Sequence, residues 1–259
     1  MNKIEVAVLD SHNDPGGLMM FLAKLTQRGH NIKCMQDLQN LLESSKNPKA
    51  STVKAVAALP HGTIKRFCPI TVAIVGASRR FLAQARTHQV GFNYVSASLQ
   101  YSDYSGEADF VVPYKLLGTE NEALYLNSCE DAMDAYQMIA ERTGDNDTAG
   151  YVAPQGLRNI LIMQANHEAW MNFLRARTCN RNTNETQYVS LRIWEELLKT
   201  PGGEEMFAYA GPDCMYGICR EGKFCCGKPL KKAGKEATTN GVAIPRHLIN
   251  IQWPLLKEE

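Results

Sequence analysis

The sequence predicts an α/β domain of the α+β kind, with strands dispersed among long helices and no regular βαβ alternation. Three observations carry this. Apolar runs suited to strands fall at 3–9, 68–76, 108–113 and 160–166. Helical periodicity fills much of the chain around them. The length of 259 residues suits one large domain or two small ones and is ample for a real core.

Residues 3–9 read as the first strand. Pro15, Gly16 and Gly17 open an amphipathic helix with Leu18, Phe21, Leu22 and Leu25 on one face, stopped by Gly29. MQDLQNLLESS, 35–45, is a second helix, whereas 46–66 is polar, carries Pro48 and Pro60, and shows no clear element. CPITVAIVG, 68–76, is rich in β-branched residues and reads as a strand. The helix from Ser78 has Arg79 and Arg80 in its first turn. Cations there oppose the macrodipole, which points to a role other than stability. ADFVVP, 108–113, is a further strand, and 119–143 a long helix with Ala, Met and Leu along one side. GDNDTAG reads as a loop, 154–159 as a short helical piece and ILIMQAN as a strand. Two helices follow, HEAWMNFLRAR and ETQYVSLRIWEELLKT, the second turning Ile193, Trp194 and Leu197 or Leu198 inward. Beyond residue 210 the chain is rich in Gly, Pro, Cys and Lys.

Composition removes several function classes. With 28 basic and 27 acidic residues the net charge is +1, so no global field attracts nucleic acid or a membrane surface. No apolar run approaches the ~18 residues of a membrane span. The start, MNKIEVAVLDS, lacks a signal-peptide apolar core, so a cytoplasmic protein with mostly reduced cysteines is expected. G-x-G-x-x-G, G-x-x-x-x-G-K-[ST], H-E-x-x-H and G-x-S-x-G are all missing, which leaves the ordinary nucleotide, zinc-protease and hydrolase readings unsupported.

Two segments stand out. HQVGFNYVSASLQYSD, 88–103, crowds serines, amides and tyrosines behind a helix, groups that are either solvated or holding something. NHEAWMNFLRARTCNRNTNETQ, 166–187, places Asn166 and Asn172 on a helix that ends at Arg175 and Arg177, with Arg181, Glu185 and Gln187 following. Arginines at a helix C-terminus also satisfy the dipole and the last carbonyls, and Asn166 also reads as an N-cap.

Together with the tail GPDCMYGICREGKFCCG, these segments resemble the flavin-dependent thymidylate synthases, the ThyX family. That family shows R-H-R-x-x-S and then S-x-R-Y-S, matched here by Gln84, an altered triplet, and Ser98-Leu99-Gln100-Tyr101-Ser102. Its N-x-R-x-x-x-N-F-L-x-x-R is matched by Asn166, Glu168, Asn172-Phe173-Leu174 and Arg177, and the Q-W-E that follows by Thr183-Asn184-Glu185. G-P-x-C, C-P-E-G-K and S-C-G are matched by Gly211-Pro212-Cys214, Cys219 to Lys223 and Cys225-Cys226-Gly227. His61 resembles an early H-x-S element, with Thr63 in the serine place, and reads equally as a turn histidine. The departures are consistent in kind. The R-H-R triplet falls on Thr87-His88-Gln89, or one residue later, with Arg86 alongside. Gln100, Gly150 and Glu168 stand where the family has arginine. In the family these arginines help hold nucleotide phosphate, pyrimidine and flavin.

The resemblance implies a ThyX-like fold, a central mixed sheet with long helices, and a homotetramer with its site at subunit interfaces. It implies a catalytic domain at 1–212 and a Cys/Lys-rich extension at 213–259. The implied reaction is reductive methylation of deoxyuridylate (dUMP) to dTMP, using methylenetetrahydrofolate and NADPH through FAD. Arg177 would be the catalytic residue, stabilising negative charge in the uracil ring. Gln84, Ser98, Leu99, Gln100, Tyr101 and Arg177 would bind substrate, and His88, Gln89, Asn166 and Asn172 the cofactor. The lost arginines keep two alternatives open, a C5-methylase of a different uridine nucleotide and a non-catalytic paralogue that binds flavin or nucleotide. Cys214, Cys219, Cys225 and Cys226 have spacing compatible with zinc but lack paired C-x-x-C form, so no metal is expected. The lysines at 223, 228, 231, 232 and 235 read as a solvated tail.

Overall fold

A computed structural model describes residues 4–106, 108–216 and 219–227, with short pieces at 238–239 and 242–243. Of the expected lysine tail only Lys223 is among the described residues; Lys228, Lys231, Lys232, Lys235 and most of the extension beyond 227 lie outside them.

Four strands form the central sheet: β1 (Glu5–Asp10), β2 (Pro69–Ser78), β3 (Phe92–Ser96) and β4 (Arg158–Asn166), in spatial order β1-β2-β4-β3. Every pairing is antiparallel, which corrects the expected mixed sheet. The reason is the strand order. β4 inserts between β2 and β3, so these two never pair with each other, although both run opposite to β4.

Alternation sorts the two faces of the sheet. Ile70, Val72 and Ile74 of β2 and Leu161, Met163 and Ala165 of β4 point into the core. There they join Phe81, Trp170, Phe173, Leu174, Val189 and Trp194 from the helices. Those helices are α1 (Pro15–Arg28), α2 (Met35–Glu43), α3 (Ala50–Ala58), α4 (Arg79–Ala85), α5 (Glu120–Thr143), α6 (Asn146–Gly150), α7 (His167–Arg177), α8 (Asn184–Leu198) and α9 (Gly203–Met206). α7 and α8 supply the largest core side chains, and Trp170 Nε1 donates to the Ile70 carbonyl at 3.2 Å. A smaller cluster gathers Phe110, Cys129, Met133, Tyr136, Ala149 and Leu157 around α5 and α6.

One irregularity prepares the site. The β2–β4 register shifts between Val75 and Ala77, with Gly76 at φ 84°, a left-handed conformation that glycine adopts without strain. The bulge turns both Ala77 and Ser78 inward, and Ser78 becomes the N-cap of α4, its hydroxyl accepting from the Phe81 N–H.

Five expectations change. Residues 108–113 make a single bridge, Phe110 to Leu157, and no strand: the Val111 N–H on Gly156 and the Arg158 N–H on Asp109 hold the bridge, and Pro113, which has no N–H, cannot extend it. The polar segment 46–66 contains α3. GDNDTAG holds α6, capped by the Asp145 carboxylate on two backbone N–H groups, while 154–159 turns and enters β4. The polar stretch from His88 contains β3, an edge strand with Asn93 and Val95 turned outward.

Candidate active site

The site is built where the ends of α4 and α7 meet. Arg177 lies in the last turn of α7, half-buried, and its guanidinium makes four bonds. Nε donates to His88 Nε2 at 2.8 Å, Nη1 to Asn182 Oδ1 at 3.2 Å, and Nη2 to the Gln84 carbonyl at 3.1 Å and Thr87 Oγ1 at 2.5 Å. These use four of its five N–H groups. A single side chain therefore ties the 84–88 segment to the turn that precedes α8.

His88 is an acceptor in this arrangement. Burial first, and the Arg177 charge second, lower its pKa to about 4. Its ring meets Phe173 and Phe92 edge to face, and Tyr94 donates its hydroxyl to the carbonyls of Ala85 at 2.8 Å and His88 at 2.6 Å. Burial likewise lowers the Arg177 pKa. The Gln84 Oε1 accepts from Thr186 Oγ1 at 2.5 Å, which fixes that side chain against the first turn of α8. Of the predicted site residues, the fold thus joins Gln84, His88 and Arg177 directly.

The others stand apart. Asn166 caps α7, its Oδ1 accepting from the Ala169 N–H at 3.0 Å. Asn172 is exposed and accepts from Arg175 Nη2 at 3.1 Å. Gln89 is exposed on the turn before β3. Gly91 in that turn has φ 79°, and a Cβ there would stand 2.9 Å from the Ala169 Cβ. Only glycine lets this turn press onto the start of α7.

Ser98 to Tyr101 forms a separate loop. The Ser98 hydroxyl accepts from its own Gln100 N–H at 3.1 Å, and Leu99 packs on the smaller cluster beside Gly150. Gln100 is exposed, and Tyr101 is 83% exposed. Arg86 connects this loop to the Arg177 group, because its Nη2 donates to Ser96 Oγ at 2.6 Å, at the foot of the loop. Glu168, standing where arginine was expected from the resemblance, pairs with Arg66 at 2.5 Å. A guanidinium thus reaches this place from a different segment.

A cleft of about 490 Å³ shares Asn182 with the Arg177 group. Arg80, Lys115 and Arg181 bring three cations to it, and Glu185 lies on its lining. The Glu185 carboxylate is 8% exposed and accepts from the Ser78 N–H at 2.7 Å and the Ser78 hydroxyl at 2.6 Å. Burial raises its pKa, against which the Ser78 bonds and the charges of Arg158 and Arg80 act. Sequence reasoning singled out Arg80 through its poor helix-end chemistry and quoted Arg181 and Glu185 without a role. Thr87 entered only as a place where an arginine is lost, and no local signal marks Asn182 or Lys115.

The arrangement favours binding and polarising over covalent attack. No hydroxyl or thiol meets a neutral histidine here, since the one imidazole faces a guanidinium. A fixed, half-desolvated Arg can instead stabilise negative charge on a planar ligand.

A family model described as thymidylate synthase complementing protein matches residues 7–200. The flavin-dependent thymidylate synthase of Geobacter sulfurreducens is 25% identical over 229 residues, covering 87% of this chain and 94% of that protein. The enzyme of the same name from Clostridium tetani is 26% identical over 175 residues, 61% of this chain and 69% of its own length. Among solved structures, the UMP/dUMP methylase PolB from Streptomyces cacaoi, bound with 5-Br dUMP, superposes with a TM-score of 0.61 at 18% identity, covering 82% of this chain and 97% of that one. Thymidylate Synthase X from Helicobacter pylori, with FAD and dUMP, gives 0.59 at 17% identity, covering 79% and 97%.

Proposed function

The chain belongs to the thymidylate synthase complementing protein family and has its ThyX-like α/β fold, and we propose that it is a flavin-dependent methyltransferase acting on C5 of a pyrimidine nucleotide. The default substrate is dUMP, converted to dTMP with methylenetetrahydrofolate as carbon donor and NADPH as reductant. The observation that carries this reading is the guanidinium of Arg177, held half-buried by His88, Gln84, Thr87 and Asn182 within the matched region.

Bound FAD would supply the redox chemistry. The donor set fits such a group, because neutral amides with nearby cations suit a heterocycle carrying a pyrophosphate. Gln89 and Asn172 present exposed amides, with Arg86 and Arg175 alongside. Gln84 and Asn166 act from behind, since their side chains are engaged within the chain. Arg177 orients the pyrimidine and stabilises negative charge in the ring as C5 becomes nucleophilic. Ser98 and the amides around Leu99 receive phosphate, and Gln100 adds a neutral donor. Each site is assembled between copies of the chain in a cytoplasmic homotetramer. Supporting assembly, the outer sheet face is apolar and exposed at Ala7, Val75, Val95 and Ile160.

A second acceptor is favoured by one specific observation. Gln100, Gly150 and Glu168, together with the altered triplet at Thr87-His88-Gln89 or one residue later, stand where the resembled family has arginine, which relaxes the charge requirement at phosphate and leaves room for another uridine nucleotide. The test is uptake of FAD by the purified protein, read by flavin absorbance and quenched fluorescence. Saturable binding supports the flavin reading. Absence of binding even at excess FAD defeats it and leaves a non-catalytic paralogue without flavin.

A further inference from the structure

The cleft that shares Asn182 with the Arg177 group is lined by three cations that the proposed chemistry does not use. They come from three separate segments. Arg80 is in the first turn of α4, Lys115 in the short turn Tyr114–Leu116, and Arg181 in the turn between α7 and α8. All three are exposed, and among the described residues none of them forms a salt bridge. The one carboxylate on the lining, Glu185, is buried and has each oxygen taken by Ser78. In a chain of net charge +1, such a local excess of positive charge in a cleft concentrates anions.

Two of these cations sit against helix starts, where positive charge opposes the macrodipole. Arg80 follows the Ser78 cap of α4, whose first turn holds no acidic residue, and Arg181 lies two residues before Thr183, the cap of α8. The Thr183 hydroxyl accepts from the Thr186 N–H at 3.3 Å, while the N–H groups of Asn184 and Glu185 have no intrahelical acceptor. An anion in the cleft offsets both cations and meets a helix end that favours negative charge. The frame around it is fixed. The Tyr125 hydroxyl donates to the Val111 carbonyl at 2.9 Å, the Val111 N–H to the Gly156 carbonyl at 2.8 Å, and a Cβ on Gly156 would overlap that hydroxyl. Asn182 Nδ2 donates to the carbonyls of Ala176 at 2.7 Å and Cys179 at 3.1 Å, and its Oδ1 accepts from Arg177. The same turn thus holds Arg181 at the cleft and Arg177 at the candidate active site.

Resting on the proposed function, we propose that this cleft takes the anionic arm of a co-substrate, a phosphate or carboxylate group of at least two negative charges, bound beside the pyrimidine at Arg177. Arg80 and Arg181 offer planar forks that match either group, and Lys115 adds a point charge from the opposite segment. The volume of about 490 Å³ lies in the range of small-molecule sites. Both co-substrates of the proposed reaction carry such an arm, NADPH in its phosphates and methylenetetrahydrofolate in its glutamate carboxylates. The acceptor nucleotide's own phosphate is assigned to the Ser98–Tyr101 loop, none of whose residues lines this cleft.

The test is calorimetric titration of the full chain without flavin, so failure of this site and failure of FAD uptake are seen separately. Inorganic pyrophosphate should bind saturably to the wild type. Its affinity should fall at least tenfold in the Lys115→Ala/Arg181→Ala double variant and stay unchanged in Arg142→Ala, at the far end of α5. The charge-keeping variant Lys115→Arg/Arg181→Lys should recover most of the loss, which separates a charge effect from a folding defect. No binding to the wild type, or equal binding to the Ala double variant, overturns the site. Two further pairs identify the source of the anion: 2′,5′-ADP against 5′-AMP for the dinucleotide, and pteroyltriglutamate against pteroate for the folate. The pair whose added charge gains about tenfold in the wild type and nothing in the Ala double variant names the arm. Gain in neither pair overturns the assignment to a co-substrate.

Discussion

Arg177 donates its Nε–H to His88 Nε2 at 2.8 Å, a cation hydrogen-bonded to an imidazole. The bond requires a lone pair on Nε2, so His88 is neutral and carries its proton on Nδ1. A protonated His88 would set two cations against each other in a half-buried place. The histidine therefore acts as a fixed acceptor that aims the guanidinium.

This gives the first prediction. The folded pKa of His88 is about 4, against an ordinary 6.5, and buried His167 is likewise held at about 4 by burial. Between these values the unfolded chain binds protons that the folded chain refuses, so stability falls as pH drops from about 6.5 to about 4 and recovers as pH rises. Thermal unfolding across that window checks it, and His88→Gln, which keeps an acceptor, should flatten part of the slope. Histidine NMR should show a ring that stays neutral at pH 5.

The second prediction concerns Arg177 itself. Lysine keeps the charge but cannot reach His88, Asn182, Gln84 and Thr87 together. Arg177→Lys should lower turnover by about 100-fold and destabilise the fold by about 1–3 kcal/mol. Steady-state kinetics and chemical denaturation separate the two losses, and unchanged turnover would remove Arg177 from the chemistry.

The third concerns the Ser98–Tyr101 loop. Ser98→Ala should weaken nucleotide binding by about 1 kcal/mol if its hydroxyl leaves Gln100 for phosphate. Gln100 is exposed, so Gln100→Arg should cost no stability and should tighten dUMP about tenfold by adding a charge-assisted bond. Titration calorimetry on the three proteins decides it, and equal affinities would mean that the loop merely faces water.

The fourth concerns Glu185, the buried carboxylate that holds both donors of Ser78. Glu185→Ala strands a buried N–H and should cost about 2–4 kcal/mol, whereas Glu185→Gln keeps an acceptor and should cost about 1 kcal/mol. Denaturation midpoints rank the pair, and an equal loss in both would show that the carboxylate charge matters more than the contacts.

Much of this was legible in the sequence where local chemistry and tertiary role agree. The β-branched run at 68–76 is β2, and Ile193, Trp194, Leu197 and Leu198 are all buried in α8. Arg177 stood out because its surroundings resembled a known family. Residues 108–113 have strand composition, but Pro113 has no N–H with which to carry the pairing past the Phe110–Leu157 bridge. β3 is masked by outward Asn93 and by its neighbouring polar loop, and α3 by the prolines that flank it. At the site, the bonds from Arg177 to Thr87 and from Arg66 to Glu168 join residues far apart in sequence, and no periodicity or spacing encodes such meetings.

The central claim is methyl transfer to C5 of a pyrimidine nucleotide, and loss of the C5 hydrogen reports it most directly. Protein reconstituted with FAD is incubated with C5-tritiated dUMP or UMP, methylenetetrahydrofolate and NADPH, and tritium in water is counted. Release should require the folate and fall by about 100-fold in Arg177→Lys. Release from UMP and not from dUMP would establish the second acceptor. An FAD-loaded protein that frees no tritium from either nucleotide would contradict the claim.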